Sequence, residues 1–300
     1  MSSTTMVRRK RRWWLSQPSV AFHRDPLFYN KYDAVWTVLG LGLSATLLTL
    51  GWRGFDVPLA VASLPLLLGM LAVACYFQVM AGVFIHNCAH QNFPRAINRL
   101  VGEAMGAIVC TRYASWEILH CYHHAHSDHR ALDPHPADPG FWGFFVRRMV
   151  MGLEKNLTHQ YLERWGDSPA NRRRDRRRTM GSWIGGLTLV ATWLVICGPV
   201  VFFCVFLPAL FFGAVHVSHF NWVTHNASAE VIDGEEPDYR PTNLDSGVYW
   251  LANRVLFGLY MHANHHAYVK YFNPLNVPAD KAERAAAKIS KHRVKLGLPA

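Results

Sequence analysis

Residues 57–90 read VPLAVASLPLLLGMLAVACYFQVMAGVFIHNCAH, an apolar run that ends in two histidines four residues apart. The run contains no Asp, Glu, Lys or Arg between Val57 and Ile85. Because about 20 apolar residues cross the hydrocarbon core of a bilayer, this segment predicts a membrane-spanning helix. At a rise of about 1.5 Å per residue the helix is longer than the core, so we expect its histidine-bearing end to stand clear of the lipid.

Apolar segments elsewhere in the chain complete two hairpins. Residues 34–52 are free of charge and are separated from the first run by only four residues. Residues 179–229 are also free of Asp, Glu, Lys and Arg, and Gly198-Pro199 divides them into two spans. With 51% hydrophobic and 17% charged residues overall, the composition excludes a soluble globule and a disordered chain. We predict an all-α integral membrane protein with four transmembrane helices in two hairpins.

The basic residues predict the orientation of these hairpins. Of the 31 Lys and Arg residues, 30 lie in the three polar parts, and the exception is Arg53. The positive-inside rule therefore places both termini and the histidine motifs in the cytoplasm. The net charge of +11 therefore lies on one side of the membrane. The lipid bilayer is the expected partner, and no nucleic-acid partner is expected. The predicted segments are 1–33, a cytoplasmic N-terminal segment; 34–85, the first transmembrane hairpin; 86–180, a cytoplasmic cap with two histidine motifs; 181–225, the second transmembrane hairpin; and 226–300, a cytoplasmic C-terminal part with the third motif.

Three histidine motifs indicate a metal site. One HxxxH motif spans residues 86–90, and HxxHH motifs span residues 120–124 and 262–266. On a helix, residues i, i+3 and i+4 lie close to one face, so each motif directs its imidazoles to one place. Eight nitrogen donors exceed the needs of one four-coordinate zinc and suit two metals of higher coordination number. The predicted ligands are His86, His90, His120, His123, His124, His262, His265 and His266.

The end of the fourth span adds further candidates. His225 is predicted as a ligand because it lies where the motifs must converge, and His219 competes for this role. Asn221, four residues before His225, is expected to bind metal through its carbonyl or through a water. Residues His126, Asp128 and Asp133 are expected to contact the ligand imidazoles, the carboxylates by accepting their N–H bonds. Turn formation at Asp133-Pro134 explains that aspartate equally well.

These residues resemble the membrane fatty acid desaturase/hydroxylase superfamily. The order HxxxH, HxxHH and, after a second hairpin, HxxHH matches that family, and residues 221–225 are similar to its extra Asn-x-x-x-His. Asn87 departs from the family pattern, which often has Asp after the first histidine. The resemblance implies a cytoplasmic helical cap that carries a di-iron site. It also implies two non-haem Fe ions, O2 as co-substrate and an external electron donor, with no catalytic residue separate from the metal ligands.

The resemblance leaves the reaction open. It implies O2-dependent desaturation of fatty acyl chains or lipids, while a hydroxylase or ketolase of lipid, carotenoid or alkane substrates remains an alternative. A non-catalytic metal-binding membrane transporter is an alternative of another class. The substrate chain is expected to lie between the spans. Candidate lining residues, which would otherwise face lipid or pack in the core, are Phe77, Phe84, Phe211 and Phe212.

The chain has no flavin fingerprint and no cysteine cluster for an iron–sulfur centre, so electrons must come from another protein. A ferredoxin-like or similar acidic donor is expected. The run NRRRDRRR at residues 171–178 is interpreted either as a solvated, lipid-facing basic loop or as the docking site of that donor. Residues 280–295 predict a basic, Ala-rich surface helix.

Overall fold

The computed structural model describes residues 17–55, 63–226 and 239–298, and this part of the chain is mainly helical. Four helices are long and apolar enough to cross a membrane, which confirms the predicted fold class. The predicted N-terminal segment is described only from Gln17, so its basic residues 8–12 lie outside the described residues. The start of the second span and residues 227–238 of the C-terminal part also lie outside them.

The four long helices follow the charge-free segments. Helix α2 spans Phe28–Thr49, α3 spans Leu64–Ala89 and α8 spans Pro169–Cys197. The fourth, Pro199–Asn226, consists of a first turn α9 (Pro199–Val201), a π-helical turn (Phe202–Phe206) and α10 (Leu207–Asn226). Proline lies in the first turn of α3, α8 and α9, where its missing N–H costs no hydrogen bond.

The two hairpins meet at the end opposite the histidines. Gly198, with φ +76°, ends α8 and turns the chain into α9. A Cβ on Gly54 would lie 2.4 Å from the Gly198 nitrogen, so this contact excludes any side chain. Trp52 Nε1 donates to the Ile196 carbonyl oxygen at 3.3 Å. The loops of the two hairpins are therefore packed directly on each other.

Small residues allow the spans to approach closely within the bundle. Helix α2 packs on α8, where Gly40 faces Thr188 and Thr192. Helix α3 packs on α10, where a Cβ on Gly82 would lie 2.9 Å from Val217. Such close contacts are typical of membrane helices, because packing replaces the hydrophobic drive between them.

The basic run at residues 171–178 is not a loop. It forms the first turns of α8, and the Ser168 side chain caps that helix by accepting a hydrogen bond from the Asn171 N–H. Arg178 is 1% exposed and bonds to Asp175 and Glu154, both at 2.6 Å. The prediction of a loop was therefore wrong, and the last arginine of the run is a buried part of the fold.

Shorter helices form a cap at the histidine-bearing end. They are α1 (Pro18–Phe22), α4 (Asn98–Ile108), α5 (Tyr113–His126), α6 (Phe141–Gly143), α7 (Gly152–Trp165), α11 (Val248–Val255), α12 (His262–Ala267), α13 (Ala279–Ala282) and α14 (Ala285–Lys295). A π-helical segment, Phe144–Val150, joins α6 to α7, and a 3₁₀ turn covers Pro274–Asn276. The predicted basic helix near the C-terminus is present as α13 and α14. It is surface-exposed on one side only, since Ala285 and Ile289 pack against α12.

Helix α5 is anchored by a buried carboxylate as well as by its apolar face. Ile118 and Leu119 pack with Phe22 of α1 and Leu157 of α7. Glu117 accepts hydrogen bonds from the Ser19 N–H and hydroxyl, both at 2.7 Å. The first helix is thereby tied to the helix that carries the second histidine motif.

Candidate metal centre

Four elements bring the histidine motifs to one place. His86 lies in the last turn of α3, and His90 ends that helix. The second motif lies on α5 and the third on α12. His225 lies in the last turn of α10. The centre is therefore built where two membrane helices end against two helices of the cap.

Five histidines form what we call the first histidine group. One ring nitrogen of each lies within 4.8 Å of the others. The Nε2 atoms of His90 and His120 are 2.8 Å apart, and those of His86 and His265 are 3.0 Å apart. All three motifs contribute to this group, which consists of His86, His90, His120, His124 and His265.

Four histidines, His123, His225, His262 and His266, form the second histidine group. The Nε2 atom of His262 lies 3.1 Å from those of both His225 and His266. Each HxxHH motif is divided between the groups. Residues i and i+4 lie about 40° apart around a helix, whereas i+3 lies about 100° from i+4. The outer two histidines of a motif therefore share a group, and the middle one belongs to the other.

The donor atoms suit two cations. Burial, followed by the neighbouring histidines, lowers the pKa of His90, His120 and His265 well below the ordinary range. The rings are therefore neutral, and each neutral ring has one acceptor nitrogen. Within the described residues, the buried Nε2 of His123 has no hydrogen-bond partner. Ring nitrogens that converge at about 3 Å can be bridged by a cation when their protons lie on the other nitrogen of each ring, and imidazole suits Zn, Cu, Fe and Ni.

Two carboxylates orient the second group. His123 Nδ1 lies 3.0 Å from both oxygens of Asp133, and His225 Nδ1 lies 2.9 Å from Asp128 Oδ1. Asp128 also accepts from Arg293 at 3.2 Å. Burial by itself raises the pKa of Asp133, but the interaction with His123, which includes the hydrogen bond from Nδ1–H, lowers it below the ordinary value. Both Nδ1 atoms therefore carry the proton, which leaves each Nε2 lone pair for a metal.

The remaining predicted residues lie at different distances from the groups. Asn221 donates to the Val217 carbonyl oxygen at 2.8 Å and borders a small cavity beside His225. His219 contacts the rings of Phe141 and Trp222 and lies outside both groups. His126 packs on the Tyr122 ring at 4.4 Å and also lies outside both groups. The structure thus places His225 rather than His219 in the second group.

His135 is a site residue that the sequence analysis missed. Its ring lies 4.3 Å from that of His123, and its backbone N–H donates to Asp133 at 2.9 Å. Burial, followed by the neighbouring His123, lowers the pKa of His135 to about 3. The sequence feature that could have identified it is the turn Asp133-Pro134-His135. This turn brings the His135 N–H back to the Asp133 carboxylate.

A cavity of about 150 Å³, here called the first cavity, reaches His120 from the membrane bundle. Its lining is mostly apolar, and Trp116 stacks on His120 at a ring distance of 5.4 Å. Four phenylalanines that were candidates for the lining lie elsewhere. Phe77, Phe211 and Phe212 are exposed on the outer surface, and Phe84 packs on Phe93 and Phe272. Their alternative interpretation, lipid contact or packing, is the correct one.

The comparison with known families agrees with this geometry. Residues 61–291, more than three-quarters of the chain, match the sequence model of the family described as "Fatty acid desaturase". No curated protein and no solved structure matches the chain.

Proposed function

The chain belongs to the fatty acid desaturase family, whose members are O2-dependent membrane oxidoreductases, and we propose that it desaturates fatty acyl chains or acyl lipids. The observation that carries this proposal is the position of the first cavity. An apolar cavity from the membrane bundle ends at His120, a member of the first histidine group. A hydrocarbon chain in this cavity would place a C–H bond beside the metal centre.

We propose that the two groups hold two non-haem iron ions. When bound, the ions would activate O2 for the removal of hydrogen from an unreactive C–H bond, which no acid–base side chain can achieve. The protein holds the imidazoles in place, and Asp128 and Asp133 keep the Nδ1 protons of His225 and His123. Asn221 is proposed as an additional contact, direct or through a water. The proposed ligands are His86, His90, His120, His123, His124, His225, His262, His265 and His266.

The apolar lining has two tasks in this proposal. Ile85, Leu119 and Val217 surround the chain and exclude water from the reacting carbon atoms. Trp116 stacks on the proposed metal ligand His120 and covers one face of its ring. Water exclusion strengthens the electrostatic interactions in the site and suppresses side reactions.

We propose that the cap and both termini face the cytoplasm, because 30 of the 31 basic residues lie in the parts that flank the spans on one side. An acidic, ferredoxin-like donor would approach this face. The exposed residues Arg172–Arg174, Arg176 and Arg177 of α8 supply a positive surface that would steer it. Arg178 is excluded from that surface because it is buried.

Expression in a host that lacks the activity, followed by mass spectrometry of total lipids, tests the proposal. A loss of two mass units is expected, whereas a gain of sixteen would show hydroxylation instead. His90→Ala and His123→Ala should abolish the product. His292→Ala changes an exposed histidine outside both groups and should leave the product unchanged. If His90→Ala and His123→Ala both still formed the product, the proposed metal site would be refuted.

A further inference from the structure

A second cavity lies beside the first and contacts neither histidine group. It measures about 210 Å³ and is lined by residues of α2, α4, α5, α7 and α8. Apolar residues of the membrane helices, Trp36 and Leu189, form one wall, and Gly106 and Ala107 of α4 form the other. A side chain on Gly106 would collide with the Thr111 carbonyl oxygen, since its Cβ would lie 2.6 Å away.

The charged residues of the second cavity already have partners. Arg112 bonds to Asp33 at 3.0 Å and to Glu154 at 2.5 Å. Glu103 accepts from Tyr32 at 2.5 Å, with further bonds from Trp36 and Arg99. A charged ligand would have to break these buried contacts, which is costly. The space left over suits hydrocarbon.

Three residues separate the two cavities. Thr111, Val150 and Leu153 line both of them, and we call them the partition. Val150 ends the π-helical segment and Leu153 lies in the first turn of α7. Stretches of π-helix are uncommon and occur frequently at functional sites. Here the π-helical segment also contributes Phe145, Arg148 and Met149 to the first cavity.

The volumes show why both cavities are needed. An apolar cavity of roughly 150 Å³ accommodates a ligand the size of benzene, about six carbon atoms. The first cavity has this volume, and the two cavities together offer more than twice as much. By the same scale they hold about 14 carbon atoms. A chain of about 14 carbon atoms is therefore too long for the first cavity and matches the volume of the two together.

We propose that the substrate is a long-chain lipid whose hydrocarbon chain crosses the partition, with the reacting carbons beside His120 and the remaining carbons in the second cavity. Thr111, Val150 and Leu153 are then specificity-determining residues that set the accepted chain length. This inference rests on the proposed function for the reaction itself. The position of the chain can be tested without turnover.

Leu153→Trp fills the partition and tests the inference. Turnover of chains of roughly fourteen carbons should fall about tenfold or more, while turnover of chains short enough for the first cavity should fall much less. Leu68→Trp is the matched control, because Leu68 is an exposed residue of α3 that lines neither cavity. An equal loss at all chain lengths, or the same loss in the control, overturns the inference.

Photo-crosslinking provides a readout that is independent of activity. A long fatty acid with a diazirine near its distal end is added to the purified, metal-loaded protein, and labelled residues are mapped by mass spectrometry. Leu189 of the second cavity should be labelled more strongly than its exposed neighbour Leu187, and Leu153→Trp should remove that excess. Labelling at Leu210 of the first cavity should persist. If the excess at Leu189 is absent or survives in Leu153→Trp, the second cavity holds no part of this chain.

A second pair of variants distinguishes a blocked partition from a misfolded protein. Leu153→Ala widens the partition and should increase the labelling of Leu189, whereas Val150→Trp should decrease it. Bound metal and size-exclusion elution are measured for each variant. Desaturation without the expected labelling refutes the inference alone. The expected labelling without desaturation refutes the proposed function and leaves the long-chain site in place.

Discussion

Replacement of Arg178 should destabilise the protein far more than replacement of its neighbour Arg177. The Arg178 side chain is 1% exposed and bonds to Asp175, Glu154 and Thr158. Arg178→Met would leave the buried carboxylate of Asp175 without its guanidinium, while Glu154 would keep only Arg112. Removing one partner of a buried ion pair costs about 3–5 kcal/mol. At about 2–4 °C per kcal/mol for a chain of this size, the expected fall in Tm is roughly 6–20 °C.

The assay is thermal unfolding of the purified protein in detergent, followed by tryptophan fluorescence and by the fraction that still elutes as a monodisperse species. Arg177→Met is the matched control, because Arg177 is exposed and surface changes usually stay within about 0.5 kcal/mol. The control should unfold at the wild-type temperature. Equal midpoints for Arg178→Met and Arg177→Met would show that the buried network contributes no stability, and the reasoning from burial would be wrong.

Four further outcomes are expected. His90→Ala and His123→Ala, which change different groups, should each lower bound iron from about two ions per chain to about one; metal analysis that shows both ions retained would contradict the division into groups. Asp133→Asn should weaken metal binding about 10–100-fold, because the His123 Nδ1–H loses its negatively charged acceptor and keeps at most a neutral amide oxygen, and competition with a chelator measures this. Burial raises the pKa of Glu117 to about 7, although the hydrogen bonds from Ser19 lower it in part. The folded state therefore binds more protons than the unfolded state between about pH 4.5 and 7. The stability that the protonated Glu117 contributes is lost as pH rises through this range. Glu117→Gln should therefore gain Tm relative to wild type from pH 5 to pH 7, and a constant difference would refute the assignment. Charge reversal at Arg172–Arg174, Arg176 and Arg177 should raise the KM for an acidic donor more than it lowers kcat and should weaken its salt dependence; an unchanged donor response would return these arginines to a lipid-facing role.

The linear pattern of the chain was sufficient for the architecture and for the existence of a metal site. Charge-free runs of span length can satisfy their backbone in lipid only as helices, so Leu64–Ala89 and its counterparts were predictable. The i, i+4 spacing within each HxxHH motif is local, and a helix converts it directly into a shared direction for those two histidines. The family match agrees with both.

The grouping of the ligands depended on long-range packing. His123 lies on α5 and joins His262 and His266, which lie far along the chain on α12, so only the packed fold brings them together. In the sequence, residues 171–178 form one basic run. In the structure, the contact of α8 with α7 buries Arg178 and leaves Arg177 exposed. Burial is a property of the neighbours that a residue acquires on folding, and no local pattern carries it.

The residues that line the cavities could not be predicted from the sequence. Phe211 and Phe212 were candidates for the lining because they lie in an apolar span, yet they face outward. The residues that separate the two cavities, Thr111, Val150 and Leu153, come from a loop, a π-helical segment and a cap helix. A cavity is the space left between elements that pack imperfectly, so its walls are known only once the relative positions of those elements are known.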